Sequence, residues 1–163
     1  MKTVVYAGSF DPITNGHLDI IKRATNLCGR LIIVVAVNPT KDSMFTLDAR
    51  VDMIRRSVQS LPAMKTEIEI AALPKNELLV NFAKKRNACA MIRGLRPVQD
   101  FQGEFALASI NRRVAPDIET IMLITDPSVS EISSSMVKEL VLLNGPYQQF
   151  VPKYVAETLN KQI

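Results

Sequence analysis

The sequence predicts a single α/β domain built on a parallel sheet of five strands with helices on both faces. Three observations carry that expectation. Strand-like and helix-like patterns alternate along the chain. The apolar run Leu31–Val37 is continuous rather than alternating, as in a strand covered on both faces. The 163 residues contain no repeat, low-complexity stretch or linker, so the length fits one domain. A chain of this size hides roughly 70% of its unfolded surface and needs neither disulfides nor a structural metal to hold a core.

The elements follow in order. Thr3–Ala7 is a β-branched and aromatic run that reads as a first strand, and about Gly16 to Cys28 carries Leu18, Ile21, Thr25 and Cys28 at helical spacing. Leu31–Val37 is the second strand, expected at the sheet centre, and the turn formers Asn38 to Ser43 end it. Thr46 caps a helix whose apolar positions Leu47, Val51, Ile54, Val58 and Leu61 share one face, and Pro62 stops it. Thr66–Ala72 reads as a strand, Leu78–Arg86 as a helix, Cys89–Ile92 as a strand and about Val98 to Val114 as a helix. Thr120–Ile124 is the fifth strand. Ser134–Leu143 is a helix stopped by Gly145-Pro146, and Pro152–Leu159 is a last amphipathic stretch with Pro at a helix start. Strands joined through helices give right-handed crossovers, and ligands bind at the carboxyl ends of such strands.

Composition narrows the function. Hydrophobic residues at 47% and charged residues at 22% exclude a disordered chain. No apolar run is long enough to span a membrane, and the N-terminal stretch breaks at Asp11-Pro12, unlike a signal peptide, so a cytoplasmic address is expected. Cys28 and Cys89 have no CxxC spacing and no neighbouring His, so both are expected to be buried thiols. Twenty Lys and Arg against 16 Asp and Glu give a net charge of +4, which leans towards an anionic partner. His17 is the only histidine, so any imidazole chemistry runs through that position.

Four loops at the carboxyl ends of the strands each offer an anion-binding group. Gly8 to His17 enters a helix: Gly8 permits a tight turn, Ser9 offers a hydroxyl, Gly16 clears space at the helix N-terminus, and His17 points its ring there. A plain strand-to-helix turn marked by Asp-Pro and Asn-Gly accounts for the same residues. The glycine pattern is neither the dinucleotide fingerprint nor the phosphate loop of nucleotide hydrolases. Lys41 follows the second strand, although most loop lysines serve only solubility. Ile92-Arg93-Gly94-Leu95-Arg96 sets two guanidiniums around a glycine, the side chain suited to bidentate phosphate recognition. Asp126 to Ser135 opens a helix with hydroxyls and unpaired backbone N–H groups, where serine is also simply a good cap. Convergence of the four fits a ligand carrying several phosphates.

Gly8-x-Phe10-Asp11-Pro12-x-Thr14-x-Gly16-His17 together with Ile132-Ser133-Ser134-Ser135 resembles the paired motifs of the nucleotidyltransferases with an H/T-x-G-H signature. Lys41 with Met44-Phe45-Thr46-Leu47, Asn81-Phe82-Ala83, Ile92 to Arg96, and Asp100-Phe101 leading to Glu104 and Asn111-Arg112 make the chain similar to the bacterial phosphopantetheine adenylyltransferases over essentially its whole length. The resemblance implies a Rossmann-like domain over residues 1–163, with a C-terminal helical segment from about residue 146. It implies transfer of adenylyl from ATP to 4′-phosphopantetheine, giving dephospho-coenzyme A and pyrophosphate without a covalent enzyme intermediate, as a step of coenzyme A biosynthesis. In the family's roles His17 stabilises the transition state at the α-phosphate, and Lys41 and Arg93 hold the attacking phosphate. The ATP side comprises Ser9, Phe10, His17, Gly94, Leu95, Arg96, Glu104, Val129, Ser130, Glu131, Ile132, Ser133, Ser134 and Ser135. The phosphopantetheine side comprises Ser9, Lys41, Leu79 and Arg93. The resemblance further implies Mg2+ on the triphosphate rather than in a protein cage, a homohexamer, inhibition by coenzyme A, and neither nucleic acid nor membrane as partner.

The chain departs from the family pattern at Val129, where an aromatic residue is common, at Glu131, where a more apolar one is, and at Gly103, often Tyr. Two other readings compete. A sister enzyme acting on nicotinate mononucleotide or glycerol 3-phosphate shares Gly8 to His17, but Lys41 and Arg93 to Arg96 weigh against it. A nucleic-acid-binding module would use Lys84-Lys85-Arg86 and Arg112-Arg113, yet aromatic residues are only 6%, leaving few stacking platforms.

Overall fold

Five apolar runs pair into one parallel sheet: β1 (Thr3–Gly8), β2 (Arg30–Val35), β3 (Glu67–Ala72), β4 (Ala88–Leu95) and β5 (Glu119–Ile124). The computed structural model describes residues 2–37, 42–96 and 101–161. The strand order is β3-β2-β1-β4-β5. The chain therefore winds outwards from β1 to β3, then returns to the other side of β1 for β4 and β5. That reversal opens a crevice at the carboxyl ends of β1 and β4, where sheets of this class bind ligands.

Alternation along the strands serves two cores. Val4 and Tyr6 of β1 and Leu31, Ile33 and Val35 of β2 enter the larger one. It also receives side chains of α1 (Asn15–Ala24), α2 (Leu47–Gln59), α5 (Ser134–Leu142) and α6 (Lys153–Asn160). Val5 and Ala7 with Ile32 and Val34 face the other way, onto Val80, Phe82 and Ala83 of α3 (Leu79–Lys85) and onto Ala115 and Ile118. Helices therefore cover both faces, and α4 (Phe101–Val114) packs along β4 and β5. Tyr154 fastens α6 to α2 by donating its hydroxyl to Asp52 at 2.8 Å, beneath the Arg56 guanidinium 4.8 Å from its ring centroid.

Several boundaries differ from the sequence expectation. α1 stops at Ala24 rather than Cys28, because the Asn26 and Leu27 amides bond back three residues and tighten the final turn. β2 ends at Val35, two residues before the end of the apolar run. β4 continues past Ile92 to Leu95, since Arg93, Gly94 and Leu95 pair with Met122, Leu123 and Ile124 of β5; these three residues belong to the strand and not to the loop after it. Pro152 caps α6 from outside its first turn. Two 3-10 helices, Pro127–Val129 and Gln148–Phe150, had no counterpart in the pattern. The thiols are also less covered than expected. Cys28 is half-buried, and Cys89 is exposed where the β1–β4 register shifts, its Sγ donating to the Thr3 carbonyl at 3.4 Å. Of the basic clusters, Lys85 pairs with Glu77 at 2.5 Å, Arg86 with Glu69 at 2.5 Å and Arg112 with Glu119 at 3.2 Å, so these cations are partly neutralised within the fold.

Candidate active site

Strand β1 delivers the chain into the crevice at Gly8 and Ser9. The left-handed residue of the turn is Phe10, at φ 46°, and not Gly8; no described glycine has a positive φ. Gly8 answers a packing need instead, because a Cβ there would stand 3.1 Å from the Phe10 ring. Phe10 is fully buried beneath the site between Tyr6 and His17, with ring centroids 5.5 and 5.0 Å away. A buried aromatic residue held in a sparsely populated conformation needs its surroundings to hold it there. Asp11 supplies that hold. Its carboxylate accepts the Met44 and Phe45 amides, each at 2.9 Å, and the Lys138 ammonium at 3.1 Å. Buried Arg50 adds a bond from Nη1 to the Ser9 carbonyl at 3.0 Å.

His17 is the third helical residue of α1, and its ring helps to cap that helix. The Thr14 hydroxyl accepts the His17 amide at 3.4 Å while the His17 Nδ1 accepts the Thr14 amide at 3.0 Å. An Nδ1 that accepts a backbone N–H carries no proton, so the neutral ring holds its proton on Nε2. Burial, and then the positive charge of Arg96, push the imidazole down to about 4. The ring is thus a neutral Nε2–H donor at ordinary pH, on the wall of a pocket of about 380 Å³.

Arg93 projects from β4 into the same pocket. Its guanidinium closes on Glu104 of α4, Nε to Oε2 at 2.6 Å and Nη2 to Oε1 at 2.7 Å, and its Nη1 donates to the Ala7 carbonyl at 3.1 Å. The bond to Glu104 holds the guanidinium firmly protonated. Three of its five N–H groups are engaged in this way, which leaves two for a ligand. The opposite wall is the N-terminus of α5. Ser133 caps it by accepting the Met136 amide at 3.0 Å, and the Ser134 hydroxyl donates to the Pro12 carbonyl at 2.8 Å, joining the two sequence motifs. Gly16 allows the loop before α5 to approach: a Cβ there would lie 3.3 Å from the Val129 carbonyl and 3.4 Å from that of Ile132. Gly16 also lines the pocket. Gly94 likewise admits Ile20 of α1, 3.1 Å from where its Cβ would be.

The pocket gathers Ser9, His17, Arg93, Gly94, Arg96, Glu104, Ile132, Ser133, Ser134 and Ser135. Leu95 and Ser130 line an adjoining apolar cavity of about 620 Å³ with Phe101, Ile124 and Pro127, and Arg96 and Thr125 belong to both. Phe10 supports the pocket from below rather than lining it. Val129 and Glu131 line neither cavity; Val129 contributes its carbonyl against Gly16, and Glu131 is exposed. Leu79 begins α3, packs against the smaller core and lines neither cavity. Lys41 lies outside the described residues.

Sequence reasoning missed Tyr6, Thr14, Ile20 and Thr125 in the pocket wall. It also missed the two residues that brace the turn, Asp11 and Arg50. Arg50 left a readable trace: it sits three residues after Leu47 and four before Ile54, on the inward face of an amphipathic helix, where a charge calls for a partner. Asp11 stands in the first motif, but its bracing role is not legible there because its partners lie more than 30 residues away.

A family model described as cytidylyltransferase-like matches residues 5–140. The phosphopantetheine adenylyltransferase of Carboxydothermus hydrogenoformans is 46% identical over 162 residues, covering 99% of this chain and 96% of that protein. That of Caldanaerobacter subterraneus subsp. tengcongensis is 42% identical over 159 residues, covering 98% and 96%. Among solved structures, a Plasmodium falciparum nicotinic acid mononucleotide adenylyltransferase complexed with NaAD superposes with a TM-score of 0.71 at 16% identity, over 99% of this chain and 96% of that one. A bifunctional NMN adenylyltransferase/ADP ribose pyrophosphatase from Francisella tularensis gives 0.70 at 18%, over 98% and 48%. At such identities the likeness is one of fold.

An imidazole that titrates near 6.5 when unfolded and near 4 when folded takes up its proton first in the unfolded chain. Its contribution to stability is therefore complete above about pH 6.5 and is lost as the pH falls towards 4, by up to about 1.4 kcal/mol per pH unit. His17→Gln keeps a residue able to complete the helix cap and removes the titration. Urea unfolding at one protein concentration across pH 4–7 is expected to show a shallower acid decline for the variant; parallel curves would refute the assignment.

Proposed function

The chain belongs to the phosphopantetheine adenylyltransferases of the cytidylyltransferase-like family, and from that membership we propose how its pocket divides the work. The reaction is adenylyl transfer from ATP to 4′-phosphopantetheine in coenzyme A biosynthesis. A phosphate oxygen of 4′-phosphopantetheine attacks the α-phosphorus of ATP, the bond to the β-phosphate oxygen breaks, and dephospho-coenzyme A and pyrophosphate leave. Such a transfer asks the protein for alignment and charge stabilisation rather than a nucleophile.

The observation that carries the assignment of roles is one pocket flanked by a neutral imidazole N–H, two guanidiniums and a serine-rich helix N-terminus. In our reading the His17 Nε2–H donates to the α-phosphate oxygen on which charge grows. A neutral donor suits this task, since it binds the ground state weakly and the transition state more strongly. Arg93, steadied by Glu104, turns its remaining N–H groups to the attacking phosphate, and Lys41 is assigned to the same phosphate from the family motif alone. The N-terminus of α5, through Ser133 to Ser135, and Arg96 take the departing phosphates. The apolar cavity over Leu95, Phe101 and Ile124 offers a flat contact for adenine.

We extend the proposal to the ion, the regulator, the location and the assembly. Glu104, the carboxylate in the pocket wall, is held by Arg93, and no group of three His, Cys, Asp or Glu converges among the described residues. Mg2+ is therefore read as riding on the triphosphate with water as its other ligand, where it neutralises phosphate charge. Coenzyme A contains both the adenylate and the phosphopantetheine arm, so it competes for the same pocket as a feedback inhibitor. No helix among the described residues is long and apolar enough to cross a membrane, in keeping with action in the cytoplasm. α4 buries no residue within the chain and exposes Phe105, Ile110 and Val114, apolar surface that suits an interface of the expected homohexamer.

Pyrophosphate release from ATP is expected with 4′-phosphopantetheine, and only weakly with nicotinate mononucleotide or glycerol 3-phosphate. A preference for either of the latter would overturn the substrate assignment. His17→Ala should lower kcat by about two to three orders of magnitude with little change in KM, and an unaffected kcat would remove His17 from the chemistry. Sedimentation should give a hexamer that Phe105→Glu and Ile110→Glu break down, and a wild-type monomer would reject the assembly.

A further inference from the structure

Tyr6 is 5% exposed, packs edge-on against Phe10 and belongs to the larger core. Its hydroxyl has no hydrogen-bond partner among the described residues. The hydroxyl is not among the buried polar atoms left without a partner, so it meets solvent through the pocket rather than being sealed in the core. The side chain also forms part of the pocket wall, together with Ser9, His17, Arg93 and Arg96. Gly94, another residue of the pocket wall, is the hydroxyl's neighbour, its Cβ position 3.8 Å from the oxygen.

The surroundings define what the hydroxyl can accept as a partner. Glu104 is close enough to act on the phenol, but its two oxygens accept from Arg93 and neither accepts from Tyr6. Arg93 and Arg96 act on Tyr6 as cations and offer no acceptor. Burial pushes the phenol above its ordinary titration range, so the O–H remains intact at working pH. Arg93 and Arg96 stand beside Glu104 and Asp19 around the phenol, and a donor opening on a pocket that takes phosphates is matched by a phosphate oxygen, which carries negative charge and only accepts.

We propose that Tyr6 is a substrate-binding residue whose hydroxyl donates to a phosphate oxygen of a bound substrate. The inference rests on the reading of this pocket as the site of adenylyl transfer. Two molecules could bring that oxygen, ATP and 4′-phosphopantetheine, and separate titrations tell them apart. The residue does not create the site. It supplies a contact that is complete only when substrate is bound, while the rest of its side chain serves the core whether or not the pocket is filled.

Tyr6→Phe removes the hydroxyl and keeps the ring against Phe10. In the ligand-free protein its melting temperature is expected to match or exceed that of the wild type, because no internal hydrogen bond is lost. Calorimetric titration of the intact protein should show binding of ATP or of 4′-phosphopantetheine weakened by about tenfold to a hundredfold, the usual range for a hydrogen bond to a charged group. The substrate whose binding weakens is the one that meets Tyr6. If wild type binds both and Tyr6→Phe binds both equally well, with kcat/KM unchanged, the proposal fails while the reading of the pocket stands. A markedly lower melting temperature assigns the hydroxyl to the scaffold and also overturns it. A wild type that binds neither substrate overturns the pocket reading and this proposal together.

Discussion

A single buried carboxylate organises the molecule's working end. Asp11, 4% exposed, accepts two amides from the entry to α2 and the ammonium of Lys138 on α5, so three segments far apart in sequence meet on one side chain. A carboxylate this well covered is costly unless its oxygens are satisfied. The arrangement therefore forms as a unit, and the turn after β1 has little freedom to move without breaking it. Ser9, Phe10 and His17 take their positions from that turn. The α5 N-terminus is drawn to the same place through Lys138, and through Ser134 bonding the Pro12 carbonyl.

Around this brace the pocket holds its cations in check before any substrate arrives. Arg93 is tied to Glu104, Arg50 lies beneath Ser9 on backbone carbonyls, and His17 is kept neutral by burial and by Arg96. Like charges are thereby kept from repelling one another in a confined space, while N–H groups remain aimed at an anion. This is preorganisation of the kind phosphate transfer calls for, in which donors are already in place when charge develops. The apolar cavity next to it shares Arg96 and Thr125, so a ligand with one flat apolar end and one highly charged end can span both.

Much of this is legible in the chain. The continuous run from Leu31 announces a parallel strand covered on both faces, and β2 is flanked by β1 and β3, although the sheet centre falls at β1 rather than at β2 as expected. The capped helix after Thr46 begins where its cap predicts. The two motifs that meet in the pocket are contiguous stretches whose residue types already suggest anion binding. The glycines of those motifs line the pocket and also carry a packing role that the pattern does not show. Gly8, Gly16 and Gly94 make room for Phe10, for the loop before α5 and for Ile20, none of them neighbours that the sequence pattern identifies. Arg93 was expected in a loop because the apolar run ends at Ile92, yet pairing with β5 carries the strand through it.

By itself the sequence determined the alternation of strands and helices, the capped starts of the main helices and the presence of two anion-seeking motifs, because local periodicity and backbone chemistry act over a few residues. Only the tertiary structure decided that Asp11 is a brace, that Arg50 points inwards to Ser9, that Glu104 claims Arg93, and that the Tyr6 hydroxyl opens on the pocket with no hydrogen-bond partner among the described residues. The reason is physical. Burial, charge pairing and the satisfaction of a polar group depend on which distant segments are brought alongside, and that follows from the return of the chain to β4 beside β1.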